Sequence, residues 1–256
     1  MFIYPNFDAT GKKTISKMTG KTSFALQDIS IHHVRSGKTL CVYSPKMETA
    51  ILLIKGAVSF SYDNKKTLAE RKNMFSDSPV CLHIPRDMQV DISSSADSEI
   101  LLQSTLNSNA FQYKLYTAEN INSFISCSGK WENTAVRDVV TIFDYETAPY
   151  SNMVIGEVYA RTGRWWSYIP HHHPQPEVYY YRFERPEGFG ACFIGDVAHT
   201  IKDGSAGLFK GGYTHAQVTA PGYPMYCCWM IRHLDGNPWR NTRTDDPNYS
   251  WLLNLD

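Results

Sequence analysis

Residues 170–181 read PHHHPQPEVYYY, which places three histidines and a glutamate within the seven residues 171–177. Neutral imidazoles and a carboxylate are the donors that hold divalent first-row metals such as zinc, manganese or iron. Side chains alternate faces along a strand, so His171 and His173 share one side, His172 points to the other, and Glu177 has the parity of the first two. A site of this kind is completed from another strand. His215, in GGYTHAQV after a glycine-rich turn, is the residue placed to do so. An isolated His-x-His beside prolines is more often an exposed turn than a metal site, and it is the glutamate and the distant histidine that favour a metal here. The other five histidines, His32, His33, His83, His199 and His233, have no such company and are expected to be structural or exposed.

The elements that must carry these residues read as strands. Helical periodicity is scarce, whereas short apolar or alternating runs bounded by Gly, Pro, Asn, Asp or Ser recur, as in TAILLIKGAVSFSYD, EILLQST, EVYYYRF and PMYCCWMIR. The two halves echo each other: AILLIKGAVSFSYD, CLHIPRDMQV and SEILLQST in the first correspond in plan to EVYYYRFERPEGFGACF, GLFKGGYTHAQV and PMYCCWMIR in the second. That repetition predicts an all-β protein of two jelly-roll barrels. The expected division is residues 1–106 as a first barrel, 107–149 as a connector with a short helix near Ala118–Phe124, and 150–256 as a second barrel with a turn-rich tail. Aligning the halves puts Val90 where His215 stands, so the first barrel is expected to lack a metal site.

Bulk properties narrow the function classes. The 256 residues carry 25 Lys plus Arg against 25 Asp plus Glu, so no net field draws the chain to nucleic acid or to an anionic membrane. No run approaches the roughly 20 apolar residues of a spanning helix, and the N-terminal stretch lacks a signal-peptide core. A soluble cytoplasmic protein with a small-molecule partner is the expectation. The six scattered cysteines contain no Cys-x-x-Cys pair and fit reduced thiols; vicinal Cys227 and Cys228 would point to opposite faces of a strand and chelate poorly.

The full pattern, His-x-His, three residues, Glu, a hairpin, then Gly-x-x-His some forty residues on, is the cupin motif, with Gly204 and Gly212 at its second-half glycine positions. Around it, NMVIGEVYARTGRWWSYIPHHHPQPEVYYYRFERPEGFG, APGYPMYCCWMI and DDPNYSW resemble the two-cupin uronate isomerases, which act in myo-inositol and pectin breakdown. GRWWSYIPHHH, EVYYYRFERPEGFG and the DDPNYSW tail resemble the inositol-pathway branch, whose substrate is 5-deoxy-glucuronate. The short His-to-Glu spacing and the Thr214-His215 order are closer to the pectin-pathway branch, acting on 5-keto-4-deoxyuronate.

The resemblance implies a bicupin aldose-ketose isomerase acting on an open-chain deoxyuronate, with a divalent ion, zinc first and manganese or iron(II) next, held by His171, His173, Glu177 and His215. Proton transfer is then expected from Tyr179 or Tyr181, which share the parity of Glu177; filling the barrel is an equal expectation for either. Gln217 shares the strand of His215. The substrate carboxylate calls for a guanidinium, for which Arg164 and Arg182 are the expected residues and Arg137 a third. Strict alternation turns Arg182 away from Glu177 unless a bulge redirects it. Tyrosine-rich strands and the Trp-bearing tail suggest a homo-oligomer. An iron(II) dioxygenase and a sugar-binding regulator without turnover are the rivals from other classes.

Overall fold

A computed structural model of the chain describes residues 1–255. The architecture is nearly all β and every strand pairing within the sheets is antiparallel. No helix among the described residues is long and apolar enough to cross a membrane.

The chain packs as two compact units. One comprises Asn6–Ile121 with Thr147–Asn152, the other Met1–Pro5, Asn122–Glu146 and Met153–Asp256. These bounds differ from those expected. The first residues belong with the C-terminal half, because Phe2–Ile3 pairs with Ala206–Gly207 and the Phe2 ring stacks on Tyr181 at 5.9 Å. The stretch expected to be a connector is divided, its second part supplying the paired strands Asn122–Ser126 and Arg137–Phe143. No helix forms near Ala118–Phe124: a turn closed by Asn120 N–H on Thr117 O precedes the edge strand, whose pairing overrides local propensity.

In the first unit the 16-residue strand Met47–Tyr62 runs through the whole sheet, pairing with Ser98–Leu106 and Val80–Ile84 along its first part and with Lys65–Arg71 and Val90–Ser94 along its second. A register shift between Leu53 and Lys55 changes which parity faces inward. Ile51 and Leu53 therefore join the core before it, and Val58, Phe60 and Tyr62 after it. His83 is fully buried there, 2.8 Å from the equally buried Glu48 carboxylate, which also accepts from Ser151 Oγ at 2.9 Å.

In the second unit a seven-stranded sheet runs in the order Phe2–Ile3, Ala206–Phe209, Glu177–Phe183, Met225–Arg232, Met153–Ala160, Arg137–Phe143, Asn122–Ser126. A five-stranded sheet runs Val197–Lys202, Phe189–Ile194, His215–Thr219, Trp165–His172, Thr244–Asp245. Alternate residues of both, among them Val158, Tyr179, Tyr181, Trp229 and Ile231 from the first and Trp166, Cys192 and Ile201 from the second, form one core between the sheets. Cys227 and Cys228 are both buried on one strand and neither is in a disulfide.

Candidate metal centre and its cavity

The PHHHPQPE segment bridges the two sheets of the second unit. His171 is the penultimate residue of the Trp165–His172 strand of the five-stranded sheet, and the Pro174–Pro176 turn carries the chain across so that Glu177 opens a strand of the other sheet. The shared parity expected from one strand is thus realised differently: the carboxylate meets the histidines from the opposite wall. Alternation itself holds, since His171 and His173 are buried and His172 is half-exposed. His215, the first residue of its strand, is the direct cross-strand partner of His171, with ring centroids 4.9 Å apart.

A close backbone approach fixes this arrangement. Gly212 N–H donates to His173 O at 2.8 Å, in a turn that takes Gly212 to φ +83°. A Cβ on the preceding Gly211 would stand 1.8 Å from Pro174 O, so only glycine lets the turn before His215 lie against the backbone after His173.

Glu177 Oε2 lies 3.2 Å from His173 Nε2 and 3.3 Å from His215 Nε2. His171 Nδ1 faces Ile169 O at 2.8 Å and His215 Nδ1 faces Tyr213 O at 3.1 Å. Each carbonyl assigns the ring proton to Nδ1 and leaves Nε2 with a lone pair. For His215 that lone pair looks at a carboxylate oxygen, so two acceptors confront each other at 3.3 Å. A second proton or a cation between them relieves that confrontation, and the Tyr179 hydroxyl, 3.3 Å from the same nitrogen, is a further donor to it. Donor atoms sharing one ion at about 2.0–2.2 Å, at tetrahedral to octahedral angles, stand roughly 3.0–3.5 Å apart, and both separations fall in that range. The side chains are not closed into a finished cage, for no three His, Cys, Asp or Glu among the described residues are so disposed. In donor type, in the tautomers of His171 and His215 and in the two separations from Glu177 they fit a divalent ion.

The electrostatics agree with ligand roles. Burial pushes the His171 imidazole well below its ordinary range, helped by His215 and Arg243, so it stays neutral. Burial alone would raise the Glu177 carboxyl; protons on the His173 and His215 nitrogens that face it outweigh burial and hold it at about 2, and a cation in their place would act in the same direction. Tyr179 is pushed well above its ordinary range, first by burial and then by the Glu177 charge. Its hydroxyl lies 3.3 Å from His215 Nε2 and 3.5 Å from Ser167 Oγ, a proton donor aimed at the site.

These groups open on a cavity of about 540 Å³ whose wall includes His171, His173, Glu177 and Tyr179. Tyr181 does not reach it. It is buried deeper in the core beside Cys192, which with burial raises its hydroxyl. Arg182 and Arg164 are also absent from the wall. No bulge redirects Arg182, which projects from the other face and bonds Asp203 through Nε at 2.8 Å. Arg164 lies at the turn before its strand, where its carbonyl accepts from Thr219 N at 3.1 Å. Arg137 does line the cavity. Gln217 is buried with its amide toward Cys192 Sγ at 3.7 Å, away from the histidines.

The tail contributes residues that sequence reasoning missed. Thr244–Asp245 pairs with His171–His172, which brings Arg243 into the wall with Nη1 3.5 Å from His171 Nδ1, while Trp239 packs edge-on to the His173 ring. The only signal was the family-like DDPNYSW that follows; nothing in RNTRTDD alone predicts a strand against the histidines.

Known proteins give the context for this geometry. Residues 2–252 match the model of the KduI/IolB family. The 5-deoxy-glucuronate isomerase of Bacillus subtilis (strain 168) is 23% identical over 96% of this chain and 94% of its own. That of Bacillus licheniformis is 24% identical over 81% of this chain and 80% of its own. The crystal structure of an IolB-like protein from Salmonella typhimurium LT2 superposes with a TM-score of 0.88 at 18% identity, covering 98% of each chain. That likeness fixes the fold as the expected bicupin.

Proposed function

The chain belongs to the KduI/IolB family and is an isomerase; from that premise we propose that it converts 5-deoxy-glucuronate to 5-dehydro-2-deoxy-gluconate at the cavity bounded by His171, His173, Glu177 and Tyr179. The observation that carries this reading is the buried meeting of His171, His173, Glu177 and Tyr179 at the wall of one cavity, with buried His215 Nε2 3.3 Å from both Glu177 Oε2 and the Tyr179 hydroxyl, in a chain whose curated relatives bear that substrate's name.

His171, His173, Glu177 and His215 would hold a divalent ion, zinc being the first expectation. When bound, that ion would supply Lewis acidity to a carbonyl oxygen and the neighbouring hydroxyl oxygen. The reaction removes a proton from the hydroxyl-bearing carbon and returns one to the aldehyde carbon, so oxygen-borne charge develops between the two events. Tyr179, kept protonated by its environment, serves as the donor that meets this charge. Glu177, facing the His173 and His215 nitrogens at 3.2 and 3.3 Å, acts as a ligand. The closely packed Trp166 and Trp229 in the wall limit water beside the reacting carbons.

The test follows 5-deoxy-glucuronate and 5-keto-4-deoxyuronate side by side by proton NMR with purified protein. Preferential conversion of the first supports the assignment, and preferential conversion of the second moves the chain to the pectin-type reaction. Turnover of neither overturns it.

A further inference from the structure

Arg137 is the buried cation of the second unit that lacks a carboxylate. It begins the Arg137–Phe143 strand, is only 7% exposed, and lines the cavity that holds His171, Glu177 and Tyr179. Its Nη1 donates to Ala135 O at 3.0 Å and lies 3.3 Å from Cys127 Sγ, and no other protein acceptor meets its guanidinium among the described residues. The remaining N–H groups of the fork are left for the cavity. A buried charge without a counter-ion is expensive, and burial accordingly depresses the guanidinium.

Other arginines show what the fold does when a guanidinium is merely structural. Arg182 is paired with Asp203, and Arg240 with Glu146, each at 2.8 Å. Arg71, fully buried in the other unit, is met by the carbonyls of Leu53, Met74 and Asp77. Arg137 has no carboxylate and only the one carbonyl of Ala135, where Arg71 has three. The same wall carries Arg243, whose Nε is 2.8 Å from Asp245, and Lys130, so its cations are Lys130, Arg137 and Arg243 against the single carboxylate of Glu177.

We propose that Arg137, assisted by Arg243, is the carboxylate-binding subsite of this cavity, which selects open-chain polyhydroxy acids over the corresponding neutral sugars. The substrate carboxylate supplies the counter-charge the protein omits, through paired N–H···O bonds from the guanidinium fork. The identification of the cavity as a substrate site rests on the isomerase reading. The ligand class does not, because it follows from the uncompensated cation.

The test uses D-gluconate and sorbitol, which share an open six-carbon chain and differ in carboxylate against hydroxymethyl. Binding is measured by calorimetry to EDTA-treated full-length protein, so that chelation of an ion by the carboxylate plays no part. Wild-type protein is expected to bind gluconate at least about tenfold more tightly than sorbitol, Arg137→Met to lose about 10- to 100-fold for gluconate and little for sorbitol, and Arg243→Gln to lose a few-fold, since Asp245 already neutralises part of that charge. Arg137→Lys retains charge and bulk and should recover part of the loss, which separates ligand binding from folding. Equal binding of the two polyols by wild-type protein, or unchanged gluconate affinity in Arg137→Met, overturns the proposal. Gluconate selectivity in a protein that turns over no uronate would leave this subsite standing and remove the isomerase assignment. Turnover with a KM indifferent to Arg137 would do the reverse.

Discussion

His171 and His215 stand directly opposite each other on adjacent antiparallel strands, and each points its Nδ1 at a backbone carbonyl, that of Ile169 and that of Tyr213. Their Nε2 lone pairs are thereby set before any ligand arrives, and Glu177 meets that of His215 from the facing sheet at 3.3 Å.

Replacing the three consecutive histidines one at a time should separate them by face. His171→Ala and His173→Ala are expected to reduce bound metal by tenfold or more, as measured by elemental analysis after dialysis, because each removes a buried donor. His172→Ala, at a half-exposed position on the other face, should retain near-complete occupancy. Equal loss in all three would refute the assignment of faces.

The two tyrosines should part in the same way. Tyr179→Phe removes the hydroxyl 3.3 Å from His215 Nε2 and is expected to lower kcat by about 10²- to 10³-fold with the melting temperature nearly unchanged. Tyr181→Phe removes a hydroxyl that never reaches the cavity and should leave kcat within a few-fold. Steady-state kinetics of both variants decide between the roles.

Gly211→Ala puts a methyl 1.8 Å from the Pro174 carbonyl, a clash with backbone that no side-chain rotation can relieve. The turn before His215 must then move off the segment after His173. Metal affinity and activity should fall by more than tenfold while circular dichroism still reports the folded β structure. Full metal binding by this variant would show that the contact does not position the site.

In the other unit His32 is held at about 4, chiefly by burial and secondarily by Lys12, with Asp8 opposing. The fold therefore holds this imidazole neutral where the unfolded chain, near 6.5, would bind a proton. Its contribution is complete above about pH 6.5 and is lost as pH falls toward 4. Discounted for partial exposure, the loss is about 1 kcal/mol between pH 7 and pH 5. Urea midpoints should fall across that interval in wild-type protein and fall less in His32→Gln. An identical slope in both proteins would exclude the mechanism.

The strands and the two-barrel plan were legible because they rest on local patterns, period-two alternation and punctuating glycines and prolines, while the short motif named His171, His173, Glu177 and His215 as candidates. Arg182 shows the same rule at work, since alternation already argued against its reaching the cavity, and it pairs with Asp203 on the other face. What could not be read depends on pairing between distant segments. Phe2–Ile3 joins the unit of the C-terminal half through Ala206–Gly207, and Thr244–Asp245 lies along His171–His172; neither dipeptide carries a periodic signal long enough to announce a strand. Arg243 and Trp239 were missed for that reason. Arg137 was visible as a third candidate, but its want of a counter-ion emerges only when its neighbours are known.

The central claim is that turnover depends on an ion held by His171, His173, Glu177 and His215, and the most direct measurement titrates zinc, manganese or iron(II) into EDTA-treated protein while following 5-deoxy-glucuronate conversion. Activity should rise from near zero to a plateau at one equivalent of the competent metal, with His173→Ala showing neither the binding nor the rise. Full turnover by protein verified as metal-free, or by His173→Ala without bound metal, would contradict it.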